Sequence, residues 1–289
     1  MADSSLRARL DTLRRAQNPD GGWGYFPNKQ SWLEPTAYAV LALHGDAAAD
    51  RAWKLISSWQ SAEGSWRPCA QVEQASWATS LSVTIAIARE DWGPAVKSGV
   101  AWLLGTEGVE SNFINRAAAR IGLLKAERDI SLRAWPWKPG NSSWVEPTAH
   151  ALIALKRAAA KFPSSELGDR VKQGEAQLMD VRGKDGGWNY GSPSALGVDL
   201  PSYPETTAIA LTGLQGRKDL GRAFDLARKL ADETPSPLAR AWLNVALRLN
   251  GETAPEVSTE VSPDVMLTAI EALGSDGGNY GLLATGGAA

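Results

Sequence analysis

The chain has 289 residues, with 30 Lys and Arg against 32 Asp and Glu, and a formal net charge of −2. This length can bury a sizeable core, and a near-neutral charge without basic runs argues against a nucleic-acid partner. The single cysteine, Cys69, excludes an intramolecular disulfide and fits a reducing compartment. No apolar run is long enough to cross a bilayer, so we expect a soluble, cytoplasmic protein, with peripheral membrane contact left open.

Two stretches of the chain, 31–43 and 143–155, are near copies of each other. Each contains a tryptophan, then Glu-Pro-Thr-Ala, then a run of alanine and leucine. This order is typical of a helix start, because proline in the first turn lacks an N–H that would be unpaired there anyway. The residue before a proline also avoids helical geometry. A copied unit of this kind predicts a repeat architecture.

Aligned on the glutamate of the copied unit, the chain shows further starts of the same kind. Stretches that are poor in charge predict inner helices, which begin at Glu34, Glu73, Asn112, Glu146, Glu205 and Ser236. More charged stretches precede them and predict outer helices over 6–17, 49–60, 94–105, 126–134, 166–181 and 219–232. With a closing helix at 262–273, the pattern predicts an all-α fold, a closed (α/α)6 toroid. We expect one domain over 1–283 and a flexible tail over 284–289.

The loops between outer and inner helices carry a second repeated signal. Gln17 precedes Trp23 by six residues, and Gln60 precedes Trp66 by the same distance. A similar loop follows the fifth predicted outer helix, with an arginine in place of the glutamine. Glycines in these loops supply the left-handed turn that often ends a helix. A glutamine amide that caps backbone groups under a tryptophan ring would join neighbouring repeats, so we interpret these tryptophans as structural.

In these loops and in the inner-helix starts, the sequence resembles the terpenoid cyclase and protein prenyltransferase toroid superfamily, above all squalene–hopene cyclase-like proteins. The stretches from Gln17 to Trp23 and from Gln60 to Trp66 look like the Gln-Trp repeats of that family. The Glu/Thr-Ala-Leu starts look like its inner-barrel helices, so the resemblance covers almost the whole chain as a pattern. It implies an isoprenoid or other apolar ligand in a central cavity, and proton-initiated cyclisation or isomerisation as the reaction.

The motifs that carry chemistry in that superfamily are not found in this sequence. It contains neither the Asp-x-Asp-Asp motif, whose middle Asp protonates an alkene, nor the Asp-rich magnesium motif of ionisation-type terpene synthases. Cys69 has no Asp two residues before it, and His150 is the only later histidine. The zinc ligands of the prenyltransferases are therefore incomplete, and we expect no metal and no cofactor.

Residues at the glutamate position and four positions later share one face of each inner helix, and they are predicted to surround one mouth of the cavity. A carboxyl there would act as a general acid if burial raises its pKa, and a histidine would act as acid or base. The long, Pro-bounded loop before the fifth start adds another carboxylate, since long loops are often functional. The predicted catalytic candidates are Glu34, Glu73, Glu146, His150, Asp199 and Glu205.

Aromatic and basic side chains near the same mouth are predicted to bind the ligand. Aromatic faces would stabilise a carbocation by cation–π attraction, whereas arginines would bind a phosphate or carboxylate group. The ligand-binding candidates are Trp32, Tyr38, Trp77, Arg116, Trp144, Tyr203 and Arg240. If six repeats close the ring, the first and fourth lie opposite each other, and the two copied units face each other across the cavity.

The same residues allow less specific interpretations. The positive end of a helix dipole explains each glutamate by itself, especially if it pairs with an arginine of the next repeat, as Glu73 with Arg116 and Glu205 with Arg240. His150 fits a hydrogen-bonded core histidine, and the long loop fits a surface insertion. Two other functions stay open: a non-catalytic ligand- or partner-binding scaffold without the Asp-x-Asp-Asp acid, and a carbohydrate-active α/α toroid in which two glutamates act on a sugar.

Overall fold

Six α-helices of the computed structural model, which describes residues 2–121, 123 and 128–286, stand side by side in a closed ring. In ring order they are α2 (Leu33–Ala42), α4 (Ala78–Ala88), α7 (Val145–Lys161), α9 (Pro204–Gly213), α11 (Pro237–Leu249) and α12 (Val265–Gly274). Contacts between α12 and α2 close the ring. Nearly every residue of α2, α4 and α9 is buried, as expected for helices without a polar side. The predicted all-α toroid is therefore confirmed.

Five further helices cover the outside of the ring. They are α1 (Ala2–Ala16), α3 (Ala47–Ser58), α5 (Pro94–Gly105), α8 (Ser165–Asp180) and α10 (Gly221–Glu233). Each packs on the inner helix before it around the ring: α3 on α2, α5 on α4, α8 on α7, α10 on α9 and α1 on α12. Short polar side chains start two of them, because Asp46 accepts the N–H of Ala48 in α3 and Ser164 accepts that of Leu167 in α8.

One predicted inner helix does not take its expected place. Helix α6 (Phe113–Arg120), predicted to start an inner helix from Asn112, lies outside the ring. The predicted closing helix, α12, is the sixth inner helix instead. The reason is polarity, because α6 has an Asn-Arg side and exposes Phe113 and Ile114, whereas α12 is apolar enough to be buried among α1, α2 and α11.

The sixth outer position, between α11 and α12, is filled by the irregular segment 250–264 rather than by a helix. The outer helix predicted over 126–134 is wrong for the residues from 128 onward, and 126 and 127 lie outside the described residues. There, Asp129 accepts hydrogen bonds from the N–H and the hydroxyl of Ser131. A side chain that bonds the nearby backbone in this way favours a turn over a helix.

Four loops that lead from an outer to an inner helix are built in the same way around a buried tryptophan. The indole Nε1 of Trp23 donates to the carbonyl of Leu13 in the last turn of α1 (2.8 Å), and its backbone N–H donates to Thr36 Oγ1 in α2 (2.9 Å). The same two bonds recur around three other tryptophans, each with its own threonine: Trp66 with Thr79, Trp135 with Thr148, and Trp188 with Thr207. Each tryptophan thus fastens the end of an outer helix to the start of an inner helix.

Glutamine side chains connect these loops to the next outer helix. Gln17 Nε2 donates to a carbonyl of its own turn and to the carbonyl of Ala48 in α3 (2.8 Å). Gln60 makes the same pair of bonds one repeat later. Arg182, which replaces glutamine in a third loop, donates its Nε to the carbonyl of Gly186 (2.8 Å). The two glutamines therefore join neighbouring repeats through hydrogen bonds to backbone carbonyls.

The inner helices begin together at one end of the ring, which we call the mouth. The N–H of Leu33, at the start of α2, donates to the carbonyl of Pro68 in the next repeat (2.8 Å). The N–H of Val265, at the start of α12, donates to the carbonyl of Tyr25 in the first loop (2.9 Å). These bonds join neighbouring helix starts along the mouth.

The opposite end of the ring, which we call the closed end, is crossed by residues 279–286. Asn279 Nδ2 donates to the carbonyl of Ala42 at the end of α2 (3.0 Å), and Gln215 Nε2, just after α9, donates to the carbonyl of Leu283 (3.1 Å). Of the predicted tail, residues 284–286 continue this segment, and 287–289 lie outside the described residues. No helix in the described part of the chain has the length and apolar character needed to span a bilayer.

Candidate functional site

Three glutamates stand at the mouth, each as the second residue of an inner helix: Glu34 in α2, Glu146 in α7 and Glu205 in α9. A helix N-terminus favours the charged form of a carboxyl. Here burial outweighs that effect and raises the pKa of all three carboxyls above the ordinary value of 4.5. The carboxyls at the mouth therefore keep their protons to a higher pH than free carboxyl groups do.

Glu34 differs from the other two because it has a hydrogen-bond donor. The hydroxyl of Tyr25 donates to Glu34 Oε2 (2.5 Å). This bond favours the ionised form of Glu34 and opposes the rise in its pKa from burial and from the nearby Glu205 and Asp264. Burial and the Glu34 charge in turn raise the pKa of Tyr25, so the phenol keeps its proton. Glu34 is thus the member of the cluster best suited to carry negative charge.

Glu146 has the opposite environment. Among the described residues it has no hydrogen-bond donor and no ion pair, and the pKa of its carboxyl is raised by burial and then by the charges of Glu34 and Glu205. Both effects favour the protonated form of this carboxyl. Glu146 is therefore the best proton donor of the three.

Below the carboxyls, three side chains from three helices meet in the centre of the ring. Tyr38, His150 and Trp242 are each the sixth residue of their helices, α2, α7 and α11. Tyr38 Oη lies 3.3 Å from His150 Nε2, and the Trp242 ring lies 5.3 Å from the Tyr38 ring and 5.9 Å from the His150 ring. Burial lowers the pKa of His150 to about 3, so its imidazole is neutral at physiological pH.

This aromatic layer changes the expected shape of the site. Tyr38, His150 and Trp242 are at most 2% exposed, so their side chains fill the ring at this level. The central cavity that the resemblance implies is therefore filled directly below the glutamates in the described structure. The copied units also do not lie opposite each other, because only α4 separates α2 from α7 in the ring. Their side chains meet because tyrosine and histidine are long enough to reach the ring axis.

Trp77 occupies the glutamate position of α4. The glutamate lies two residues before the tryptophan-bound threonine in α2, α7 and α9, and in α4 that threonine is Thr79. The ring of Trp77 lies 5.2 Å from the His150 ring and 5.1 Å from the Trp137 ring. The predicted mouth position of Glu73 is wrong, since it precedes α4, is exposed, and lies 3.8 Å from Arg67.

Three other predicted site residues also lie away from the carboxyls. Arg116 is on α6 and pairs with Glu107 (3.4 Å). Arg240 is exposed and donates to the carbonyl of Thr234 (2.8 Å). Neither makes the glutamate pair predicted for it in the described structure, because α6 is outside the ring and because the fourth residue of α11 faces outward. Asp199 is exposed in a two-stranded hairpin, Ser194–Ala195 with Val198–Asp199, and pairs with Lys184 (2.9 Å).

The remaining aromatic candidates lie along the mouth with two tyrosines that the sequence interpretation missed. Trp32 lies beside Tyr25, with 6.4 Å between the rings. The rings of Trp144, Tyr190 and Tyr203 form a row, with separations of 6.3 and 5.2 Å. The signal for the missed residues is spacing, because Tyr25 and Tyr190 each follow a loop tryptophan by two residues.

This row of rings lines a cavity of about 290 Å³. Its walls are mainly apolar and include Leu200, and Arg128 stands at its edge with its guanidinium bonded to the carbonyl of Gly191 (2.5 Å). Ligand sites typically combine such apolar walls with a few polar groups. Trp144 and Tyr203 therefore share one candidate ligand pocket. The described residues contain no group of three or more His, Cys, Asp and Glu arranged to hold a metal ion.

Comparison with characterised proteins gives one similar sequence. No family model matches the chain. A drimenyl diphosphate synthase of Streptantibioticus cattleyicolor is 27% identical over 231 residues, which cover 77% of this chain and 38% of that protein. The chain therefore spans well under half the length of this relative.

Solved structures agree on the architecture. The type II terpene cyclase MstE from Scytonema, in its apo form, is similar with a TM-score of 0.56 and 17% identity, over 94% of this chain and 78% of that one. A glycosidase variant is similar with a TM-score of 0.59 and 11% identity, over 97% of both chains. At such identities the similarity establishes the fold alone. The chain has a terpene cyclase-like helical toroid fold, and this architecture also occurs in a glycosidase.

Proposed function

We propose that this protein binds an isoprenoid or other apolar ligand at the mouth and protonates it, as a terpene cyclase-like enzyme. The observation that carries this proposal is the environment of Glu146. Its side chain is partly buried, has no hydrogen-bond donor among the described residues, and lies within the field of two other glutamates. These conditions keep a proton on the carboxyl and make it available to a substrate held beside aromatic rings.

In the proposed reaction, Glu146 transfers its proton to one carbon of an alkene. The π electrons form the new C–H bond, and the other alkene carbon becomes a carbocation. The faces of Trp77, Trp32 and Tyr25 would stabilise that charge by cation–π attraction, together with the carboxylate left on Glu146. Loss of a proton from a neighbouring carbon to water ends the reaction and leaves a neutral product. Glu205, the least buried of the three, would return the proton from solvent to Glu146.

The apolar part of the ligand fits the pocket beside the carboxyls better than the ring axis. The axis is filled by Tyr38, His150 and Trp242, whereas Trp144 and Tyr203 line an open cavity. The neutral His150 would then hold the Tyr38 hydroxyl in place rather than act as an acid. In this proposal, substrate length is limited at the aromatic layer.

The similar proteins support the substrate class. One is a drimenyl diphosphate synthase, and MstE has been solved in complex with geranylgeranyl dihydroxybenzoate as substrate and with merosterolic acid A as product. The finer similarity to squalene–hopene cyclases rests on the Gln-Trp loops and belongs to the same proposal. The missing Asp-x-Asp-Asp motif means that a glutamate would have to take the role of the acid.

Deuterium incorporation tests this proposal directly. Purified protein would be incubated in D₂O with linear isoprenoids of increasing length, and the products would be analysed by mass spectrometry. Protonation by an exchangeable carboxyl predicts one deuterium in a cyclised or isomerised product. Glu146→Gln should abolish the label, and Glu73→Gln, which changes a carboxyl outside the mouth, should leave it unchanged. Absence of any labelled product with all substrates would contradict the enzymatic part of the proposal.

A second candidate function is action on a carbohydrate. A glycosidase shares the architecture, and the mouth combines clustered glutamates with exposed aromatic rings that suit sugar stacking. Glycosidases use such a pair of carboxyls as acid and as base or nucleophile. Release of reducing sugar from an oligosaccharide panel, lost in Glu146→Gln and Glu205→Gln, would favour this candidate. Saturable binding of an isoprenoid without turnover, detected by tryptophan fluorescence, would favour the non-catalytic scaffold.

A further inference from the structure

Arg157, near the end of α7, is partly buried, and its guanidinium has no partner among the described residues. Its Nη1 atom is inaccessible to solvent, and the side chain makes no hydrogen bond or ion pair with the described residues. Burial alone lowers the pKa of this guanidinium. Leaving a buried charged donor unpaired is unfavourable, so such a group usually has a partner.

Two arginines that are more deeply buried, Arg9 and Arg170, show what a satisfied guanidinium looks like in this fold. Arg170 donates to the carbonyls of Leu104, Arg133 and Thr106 at 2.7 to 3.2 Å. Arg9 pairs with Glu271 at 3.0 Å. The fold therefore supplies carbonyls or a carboxylate to an arginine that serves only packing. Arg157 lacks both among the described residues.

The side chain of Arg157 lines a cavity of about 540 Å³ at the closed end of the ring. One wall is formed by the ends of α4 and α7, and the other by residues 284–286. Lys161, one turn after Arg157, lines the same cavity, with its Nζ 5.8 Å from the centre of the Trp92 ring. Two cations thus face a space large enough for a small ligand.

We propose that this cavity binds a small phosphate-type oxyanion, held by Arg157 and Lys161. A guanidinium presents a planar fork of donors that matches phosphate oxygens, and an ammonium adds a mobile point charge. Glu90 also lines the cavity, and the ends of α4 and α7 carry partial negative charge. These groups oppose the anion in part, so the two cations set a moderate affinity.

This site is separate from the mouth. Arg157 follows Glu146 by eleven residues on the same helix, which is about 16 Å along the axis. The aromatic layer of Tyr38, His150 and Trp242 also fills the ring on the mouth side. Occupancy of the closed end therefore does not depend on the reaction proposed for Glu146, and the two proposals can fail independently.

Calorimetric titration with sodium phosphate, sodium diphosphate and glycerol phosphate, at constant ionic strength set by NaCl, tests the proposal. We expect saturable binding of at least one of the three probes to the full chain. Preference for glycerol phosphate would indicate a phosphate ester as the ligand, and preference for the inorganic ions would indicate a free anion. A concentration of about 10 mM corresponds to very weak binding. Absence of saturable binding of every probe up to that concentration would overturn the proposal.

Variants separate a specific site from general charge. Arg157→Gln should weaken binding at least tenfold, and Lys161→Gln should weaken it less. Arg240→Gln, which removes an exposed arginine elsewhere, should leave binding unchanged. Because Arg157→Gln removes an unpaired and partly buried charge, its melting temperature without anion should not fall, which keeps the variant usable. Equal binding by the wild type and Arg157→Gln would contradict the assignment.

Discussion

The two ends of the ring differ in charge, and the helix dipole explains only part of the difference. Glu34, Glu146 and Glu205 stand at the mouth, where helices begin, and Arg157 and Lys161 stand at the closed end, where α7 ends. Each charged side chain is opposite in sign to the partial charge of the helix terminus beside it. A helix dipole also stabilises charges that remain exposed to solvent. It therefore does not explain why these side chains are withdrawn from solvent.

Burial without partners is what both ends share. Glu146 and Arg157 lack a hydrogen-bond partner for their charged atoms among the described residues, and burial shifts the pKa of both toward the neutral form. By contrast, Lys156, another partly buried charged side chain, pairs with Glu175 at 2.6 Å. The contrast suggests that the two ends are kept for ligands, an apolar one that receives a proton at the mouth and an anion at the closed end.

The largest expected effect concerns His150, in the aromatic layer between the two ends. It is a dependence of the free energy of unfolding on pH. The folded-state pKa of His150 is lowered from 6.5 to about 3, so its contribution to stability is fully present above pH 6.5 and is lost as pH falls toward 3. The full loss corresponds to roughly 5 kcal/mol. Urea unfolding from pH 7.5 to 3.5 should show a slope that His150→Gln lacks. Equal slopes in the two proteins would mean that His150 is not buried in neutral form.

At the mouth, Glu146→Gln should lower any turnover by about 100-fold or more, because it removes the proton donor. Its effect on stability has the opposite sign. The folded-state pKa of Glu146 is raised, so the wild type loses stability as pH rises from 4.5 through the folded value, and the variant lacks this contribution. We expect the free energy of unfolding of the variant at pH 8 to equal or exceed that of the wild type. A less stable variant with unchanged turnover would contradict the role of Glu146 as an unpaired proton donor at the mouth.

The loops of the mouth should tolerate less change than the segment across the closed end. Trp66→Phe removes the indole bond to the carbonyl of Ile56 (3.0 Å) and part of a fully buried side chain, which should cost about 1–3 kcal/mol. Thermal and urea unfolding would measure the loss. Trp144→Phe, which changes a partly exposed ring of the pocket, is the matched control and should be nearly neutral.

At the closed end, Asn279→Ala should have the smallest effect of the series. It removes the amide bond to the carbonyl of Ala42 (3.0 Å), worth about 1 kcal/mol. Proteolysis after residue 279 should become faster, because the segment is then held mainly by Gln215 and Leu283. If this variant lost as much stability as Trp66→Phe, the closed end would be as essential to the ring as the mouth.

Local patterns predicted most of the helices but not every position in the ring. The copied units correctly start α2 and α7, because proline and an apolar run act within a few residues. The start of α4 was predicted from Glu73, whereas Thr79 shows that Trp77 holds the glutamate position. The error arises because the alignment uses the glutamate, and the second repeat has Trp77 instead of a glutamate at that position. An alignment on the threonine that bonds the loop tryptophan would place the start correctly.

The residues that meet in the centre of the ring were harder to predict. Tyr38 and His150 come from the copied units, but Trp242 shares their position only when the residues are counted from the true start of α11. Tyr25 and Tyr190 are loop residues whose role depends on how neighbouring repeats pack. A single-sequence pattern carries no information on contacts between distant repeats, so these residues became visible only in three dimensions.

By itself, the sequence determined the helical class, the inner and outer pairing, and the tryptophan loops, because polarity and capping are properties of a few consecutive residues. Only the tertiary structure decided which helices close the ring, and that α12 rather than α6 is the sixth. It also decided which glutamates are buried together and which is exposed. Burial depends on neighbours from other repeats, and burial sets the pKa of Glu146 and therefore its capacity to act as an acid.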